Sequence, residues 1–283
     1  MQKLLIQLDS SPHPSVFDRV VAFDGGADHV LSYGGVAEHD VRDLVHGAIF
    51  TRGPKDLHHT AIFVGGADMA LGERLLRAVM KAFFGPMRVS VMLDANGSNT
   101  TAVAAVARLQ AAAGDVRGRR VVVTAGTGPV GLRAAGLFAR AGADVVVTSR
   151  KPVAQDVLAG LETRFGKAVQ ALVLSDASQA AQALDGAHLL LNTGPAGVCL
   201  VPRDAWAARS GLIAAADVNA VPPAGIEGIE ATDDGVERDG AVVFGALGVG
   251  KLKMKIHKAC IQKLFERNDH VLDAEAIAAI AGL

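Results

Sequence analysis

Aromatic residues are scarce in this chain, at 4% of 283 positions with a single Trp and a single Tyr, and 32 glycines and many alanines stand in their place. Small side chains let strands and helices pack closely, as in an αβ protein. Cysteine is also scarce. Cys199 and Cys260 cannot build a disulfide framework and read as buried free thiols of a reducing compartment. An excess of either charge is missing too: 28 Lys and Arg against 29 Asp and Glu leave a formal charge of −1. That balance gives no reason to expect nucleic acid or an anionic membrane as partner. No uncharged apolar run reaches the length of a membrane helix. The opening "MQKLLIQLDS" meets Asp9 so early that it reads as a first strand, not a signal peptide. A soluble, cytoplasmic protein is expected. His58 and His59 are adjacent and His257 precedes Cys260, but no other His or Cys is spaced to complete a zinc site, and the G-x-S-x-G elbow of serine hydrolases is absent.

What is present is half hydrophobic and a fifth charged, a globular composition long enough for two domains. "KLLIQL", "HVLSY", "TAIFVGG" and "RVSVML" read as strands, separated by amphipathic stretches such as "PSVFDRVVAF" and "MALGERLLRAVMKAFF". The short, charged "GDVRGRR" marks a junction. Beyond it "VVVTAG", "DVVVTS", "VQALVLS", "AHLLLN" and "GLIAAADVN" are near-continuous apolar runs, as expected of parallel strands covered on both faces. Helical segments alternate with them, the pattern of a doubly wound sheet. "KLKMKIHKACIQKLFER" and "DAEAIAAIAGL" are helical, with no strand pattern after them. The predicted fold class is α/β with two αβ domains: 1–115 plus 251–283, onto which the C-terminal helices pack back, and a Rossmann-like 116–250.

The segment "VVVTAGTGPVG" carries a G-x-G-x-x-G spacing at Gly126, Gly128 and Gly131, after a strand and before a helix. In that context Gly126 allows the tight turn, Gly128 lets backbone amides approach a pyrophosphate, and Gly131 lets the helix pack on the strand. NAD-preferring sites place an acid about twenty residues further on. Here Thr148, Ser149, Arg150 and Lys151 occupy that point, and a guanidinium with an ammonium matches the 2′-phosphate of NADP.

Two other clusters stand out. Asp94, Asn96, Ser98, Asn99, Thr100 and Thr101 crowd the end of one strand, and two readings fit: a turn with a helix cap, or a site for a heterocycle with several donors and acceptors. Lys251, Lys253, Lys255 and Lys258 are expected in the first turns of a helix, where each cation is disfavoured by about 0.3–1 kcal/mol. A solvated face accounts for Lys255 and Lys258. Lys253 flanks Leu252 and Ile256 beside glycine-rich backbone, which points to an anionic ligand or a place in a cleft.

Taken together, "PSVFD", "DGGADH", "TAIFVGGADMA", "FFGP", "MLDANGSNTTA", "AGTGPVG", "ADVNAVPPAGI", "FGALGVG" and "ACIQKLFE" make the chain resemble, along nearly its whole length, the NADP-dependent methylene-tetrahydromethanopterin dehydrogenases of methylotrophic bacteria. The resemblance implies a relative of methylene-tetrahydrofolate dehydrogenases, with an active-site cleft between domains and a homo-oligomeric, trimeric assembly. It implies hydride transfer from the methylene bridge of a reduced pterin to NADP. By motif it assigns the cofactor to Gly126, Thr127, Gly128, Pro129, Val130, Ser149, Arg150 and Lys151, and the nicotinamide end to Thr193, Gly194, Ala196, Asn219 and Val221. It assigns the pterin to Asp18, Asp94, Asn96, Ser98, Asn99 and Thr101, with Lys253 as the catalytic residue beside the bridge. The bifunctional folate relatives carry Tyr-x-x-x-Lys, whose Lys serves cyclohydrolase chemistry. Here Tyr33 is followed by Ala37, so no cyclohydrolase activity is expected. The rival readings are a folate-dependent methylene dehydrogenase and a catalytically silent NADP-binding regulator.

Overall fold

The computed structural model describes residues 1–207 and 209–283. The chain divides into two compact units, residues 1–100 with 254–283, and residues 101–253. Both divisions fall inside helices.

The first unit is built on a five-stranded sheet. Its elements are β1 (Leu4–Asp9), α1 (Val16–Asp24), β2 (His29–Tyr33), α2 (Val41–Ile49), β3 (Thr60–Gly65), α3 (Met69–Ala82) and β4 (Ser90–Leu93), followed by the start of α4 (Ser98–Ala113). All pairings are parallel. Strands β3 and β4 are buried along their whole length, as their unbroken apolar runs demand. Leu8, Val45, Ile62, Leu75 and Val91 anchor the core on the α2–α3 face. Helix α1 starts where the Ser15 side chain accepts from the Asp18 amide.

The second unit holds the rest of α4, then β5 (Arg120–Thr124), α5 (Pro129–Arg140), β6 (Asp144–Ser149), α6 (Gln155–Phe165), β7 (Gln170–Val173), α7 (Ala180–Ala183), β8 (Leu189–Asn192), α8 (Arg203–Trp206), β9 (Ala214–Asp217), β10 (Asp234–Arg238), β11 (Ala241–Phe244) and the start of α9 (Ala246–Leu264). Its sheet runs β7-β6-β5-β8-β9-β11, parallel throughout, with β10 added antiparallel at the edge. That is the doubly wound dinucleotide-binding order. Trp206 is fully buried, and its indole nitrogen donates to the Glu227 carbonyl.

Three features depart from the sequence reading. The hairpin β10–β11 was not expected, because the edge strand "DGVER" is mostly exposed and has no apolar signature. A further strand, β12 (Val271–Leu272), precedes α10 (Ala274–Ile280) and pairs in parallel with β4, completing the first sheet as β12-β4-β3-β1-β2. Two residues are too few to show a period, so the C-terminal segment read as helix alone. Finally, α9 begins at Ala246, so Lys251 and its neighbours lie beyond its first turn. The macrodipole acts only near the terminus. Its penalty therefore does not apply to Lys253.

Candidate active site

In the second unit the strand order reverses between β5 and β8, and the loops after these strands open at the crevice where doubly wound sheets take ligands. A cleft of about 620 Å³ lies there, lined by Ala125, Thr127 and Gly128 from the first loop, Thr148, Ser149 and Arg150 from the end of β6, and Thr193, Pro195, Val198 and Leu200 from the loop after β8, with Leu174 closing one side. The three glycines have different roles. A Cβ on Gly126 would meet Val147 Cβ at 2.7 Å, and one on Gly131 would meet Gly126 Cα at 2.6 Å and Thr193 Oγ1 at 2.7 Å. Both positions are closed to any side chain. A Cβ on Gly128 would meet only the Ala125 carbonyl, at 3.7 Å, which leaves open space before the first turn of α5. Pro129 occupies the first helical position, where its missing N–H costs nothing. The left-handed residue of the turn is not Gly126 but Ala125, at φ 50°. Gly126 is needed instead for its approach to β6, where its amide donates to the Thr148 carbonyl. Dimensions, orphan amides and open backbone fit a pyrophosphate.

Thr127, Gly128, Ser149, Arg150 and Thr193 thus share the cleft. Val130 and Gly194 are half-buried beside it in sequence, and Lys151 and Ala196 are exposed. Asn219 and Val221 line a different hollow, of about 550 Å³, with Cys199, Pro222, Pro223 and Glu227. Asn219 is buried and spends its side chain on its own loop, accepting from the Val221 amide and donating to the Pro223 carbonyl.

Sequence reasoning missed the polar row beneath these loops. Thr124, Asn192 and Asp217 are buried neighbours at the ends of β5, β8 and β9. Thr124 Oγ1 donates to Asn192 Oδ1 at 2.7 Å, and Asn192 Oδ1 also accepts from the Gly194 amide. Asp217 accepts from the Asn219 and Ile226 amides. The one visible signal was a polar residue ending each apolar run.

In the first unit the polar cluster resolves into two groups. Asp94, Ser98 and Asn99 are buried, at 1% exposure or less. Asp94 Oδ1 accepts from the Asn99 and Thr100 amides, its Oδ2 accepts from Thr100 Oγ1 at 2.6 Å, and Asn99 donates to the Leu93 carbonyl. The capping reading accounts for these contacts. Asp18 is half-buried and Asn96, at φ 54°, is exposed, while Thr101, the first residue of the second unit, is half-buried. His257 lies 4.0 Å from Asp94 and stacks on Phe63 at 5.6 Å. Asp9, also buried, accepts from the Ser11 and Ser15 amides and shapes the loop before α1. Cys260 is buried, and its thiol is pushed up to about 12, while burial also raises the half-buried Cys199. Neither is poised as a nucleophile. Among the described residues no three His, Cys, Asp or Glu are grouped to hold a metal ion, and no helix is long and apolar enough to cross a membrane.

The reversed strand order, the glycine turn and the cleft define a Rossmann-type αβ protein. Solved structures agree on the fold. The shikimate 5-dehydrogenase of Listeria monocytogenes, solved with shikimate and NAD, matches with a TM-score of 0.56 at 13% identity over 99% of this chain and 96% of that one. The ornithine carbamoyltransferase of Pyrococcus furiosus matches with a TM-score of 0.58 at 15% identity over 94% and 85%. A dehydrogenase and a transferase fit equally well, so shape alone does not choose the chemistry. Sequence relatives do. The family model described as methylene-tetrahydromethanopterin dehydrogenase, N-terminal, matches residues 16–96. The NAD(P)-dependent methylenetetrahydromethanopterin dehydrogenase of Methylorubrum extorquens AM1 is 34% identical over 95% of this chain and 93% of its own. The bifunctional protein MdtA of the same organism is 52% identical over 99% and 98%. The chain belongs to the methylene-tetrahydromethanopterin dehydrogenase family.

Proposed function

We propose that the protein oxidises methylene-tetrahydromethanopterin to the methenyl form with NADP as hydride acceptor. The observation that carries this is a cleft built for a dinucleotide, ending at Ser149 and Arg150, in a chain 34% identical over nearly its whole length to a dehydrogenase of that name. NADP supplies the hydride acceptor. The second unit holds it: the first turn of α5 and the space at Gly128 receive the pyrophosphate, and Arg150 receives the 2′-phosphate. Lys151 adds charge from the exposed side. To the nicotinamide end we assign Thr193, Gly194 and Ala196 from the loop after β8, and Asn219 and Val221 from the loop after β9, which line the separate hollow. The row beneath holds Thr193, Gly194 and Asn219 by hydrogen bonds.

Loss of a hydride from the methylene carbon leaves a cation shared by two pterin nitrogens, so no proton moves. The task of the protein is to orient the pterin and exclude water. We assign the pterin to Asp18, Asn96 and Thr101 as direct contacts, with Asp94, Ser98 and Asn99 as the buried support that shapes the α4 start. Lys253 orients the reacting end.

The test is turnover of methylene-tetrahydromethanopterin with NADP, followed by methenyl absorbance, beside the folate analogue. Formation of methenyl product supports the reading. No turnover of either pterin would return the protein to a nucleotide-binding regulator. Hydrolysis of methenyl-pterin belongs in the same assay, because MdtA is named bifunctional. With Ala37 in place of the folate family's Lys, we expect no rate above buffer. We also propose a homo-oligomer, a trimer, tested by light scattering on the eluting protein.

A further inference from the structure

The first unit carries a second concavity that the proposed reaction does not use. A groove of about 660 Å³ lies along α2 and α3, and its lining shares no residue with the polar cluster at the end of β4. Its lining brings together five basic side chains, Arg42, His46, Arg74, Arg77 and Lys81, against one carboxylate, Glu38. Glu38 is taken by Arg74, whose Nε donates to it at 2.8 Å. Arg42, Arg77 and Lys81 make no ion pair among the described residues. The whole chain is near neutral, so this local excess is not background.

The crowding is unfavourable as it stands. Residues 74, 77 and 81 follow the spacing of one helix face, where like charges repel by about 0.2–0.5 kcal/mol per pair. Helix C-termini explain His46 and Lys81, which sit in the last turns of α2 and α3. They do not act on Arg77, in mid-helix, where Glu73 lies one turn before it and offsets part of the repulsion. Nor do they explain Arg42, in the first turn of α2, where the dipole opposes a cation.

The same groove is walled by Phe50, Phe83 and Phe84. Phe50 is 57% exposed and Phe84 is 71% exposed. The Phe84 backbone is held by paired bonds to Met87, donating at 3.1 Å and accepting at 2.9 Å, so the ring is displayed by a fixed turn. The volume falls within the range of small-molecule sites. A local excess of cations beside exposed aromatic rings, with the His46 ring set T-shaped to Phe50 at 5.2 Å, matches a ligand with both phosphates and a planar ring.

We propose that the α2–α3 groove is a second ligand site, which takes a nucleoside polyphosphate: the phosphates lie among Arg42, Arg77 and Lys81, and the base lies on Phe84 and Phe50. The site is independent of the dinucleotide cleft and does not rest on the dehydrogenase reading.

Isothermal titration of the full chain, saturated with NADP, tests it with ATP, pyrophosphate and adenosine as probes. ATP is expected to bind with a Kd below about 1 mM, pyrophosphate more weakly, and adenosine not measurably. Arg42→Ala with Arg77→Ala should weaken ATP by roughly ten- to a hundred-fold. Phe84→Ala should weaken ATP but not pyrophosphate, and Arg150→Ala should change neither. Melting curves of the exposed-site variants should overlay the parent. Absence of ATP binding overturns the proposal. So does an unchanged Kd in the double arginine variant, a loss caused by Arg150→Ala, or binding confined to single-stranded RNA.

Discussion

The amide of Asn192 donates to Oδ1 of Asp217 at 2.7 Å, and the two residues are register partners on adjacent parallel strands. With Thr124 they form a one-way chain of donors ending on a buried carboxylate, under both loops assigned to the nicotinamide. Gly225 makes room for it, because a Cβ there would overlap the Asn192 amide. Asp217→Ala should leave buried donors without an acceptor, at a cost of about 1–3 kcal/mol in urea unfolding, and should lower kcat/KM. Unaltered stability would show that water replaces the carboxylate.

The glycines of the turn make a contrast. Gly131→Ala forces a methyl onto Gly126 Cα and should cost about 1–3 kcal/mol and abolish NADP binding. Gly128→Ala meets no such obstacle and should change stability by under about 0.5 kcal/mol while weakening NADP. Equal destabilisation by the two changes contradicts this division of roles.

Arg150 lines the cleft at the end of β6 with no acid beside it. Arg150→Ala should raise the KM for NADP by roughly ten- to a hundred-fold, from the loss of about 1.5–3 kcal/mol, and leave NAD nearly unaffected. Parallel losses for both nucleotides would place Arg150 elsewhere on the cofactor.

Lys253 lies inside α9, and only the resemblance of its segment to the family's motif places it at the reacting end of the pterin. A cation beside a developing cation is useful for orientation, not for charge. Lys253→Ala should reduce kcat/KM for the pterin by about ten- to a thousand-fold, roughly 1.4–4 kcal/mol, with NADP affinity preserved. A variant at full rate removes Lys253 from the site.

His270 gives a pH prediction. Burial lowers its pKa, Lys263 and Arg267 push the same way, and Asp269 and Glu266 oppose them. Its Nε2 is buried without a hydrogen-bond partner. A depressed histidine favours the fold while neutral, so its contribution is whole above the unfolded value near 6.5 and is lost as pH falls toward the lower folded value. Melting temperature should drop below pH ~6.5 more steeply in the parent than in His270→Gln. Superimposable profiles would refute this.

The central strands could be read from the sequence because burial on both faces leaves an apolar run with nothing else to explain it. β7 and β10 show the limit, both being edge strands. "VQALVLS" reads as a strand covered on both faces, yet β7 leaves Leu172 and Val173 exposed at the end of the sheet, and β10 is polar and unread. The polar cluster at Asp94 was visible as chemistry but not as geometry. Composition cannot tell a carboxylate that caps a helix from one that faces a ligand, and here Asp94 turned inward. The row of Thr124, Asn192 and Asp217 was harder still, since its members lie far apart in sequence and meet only through strand register.

The two-residue strand β12 also sets an order of events. Residues 101–253 form the second unit without interruption, so its sheet can close while the remainder of the chain is still being synthesised. The first unit has most of its strands earlier but keeps β4 as an open edge until residues 271 and 272 emerge. An unpaired edge is a template for wrong partners. The nascent chain therefore carries an open β4 edge across the whole synthesis of the second unit, and the pairing that seals it waits for the C-terminal residues.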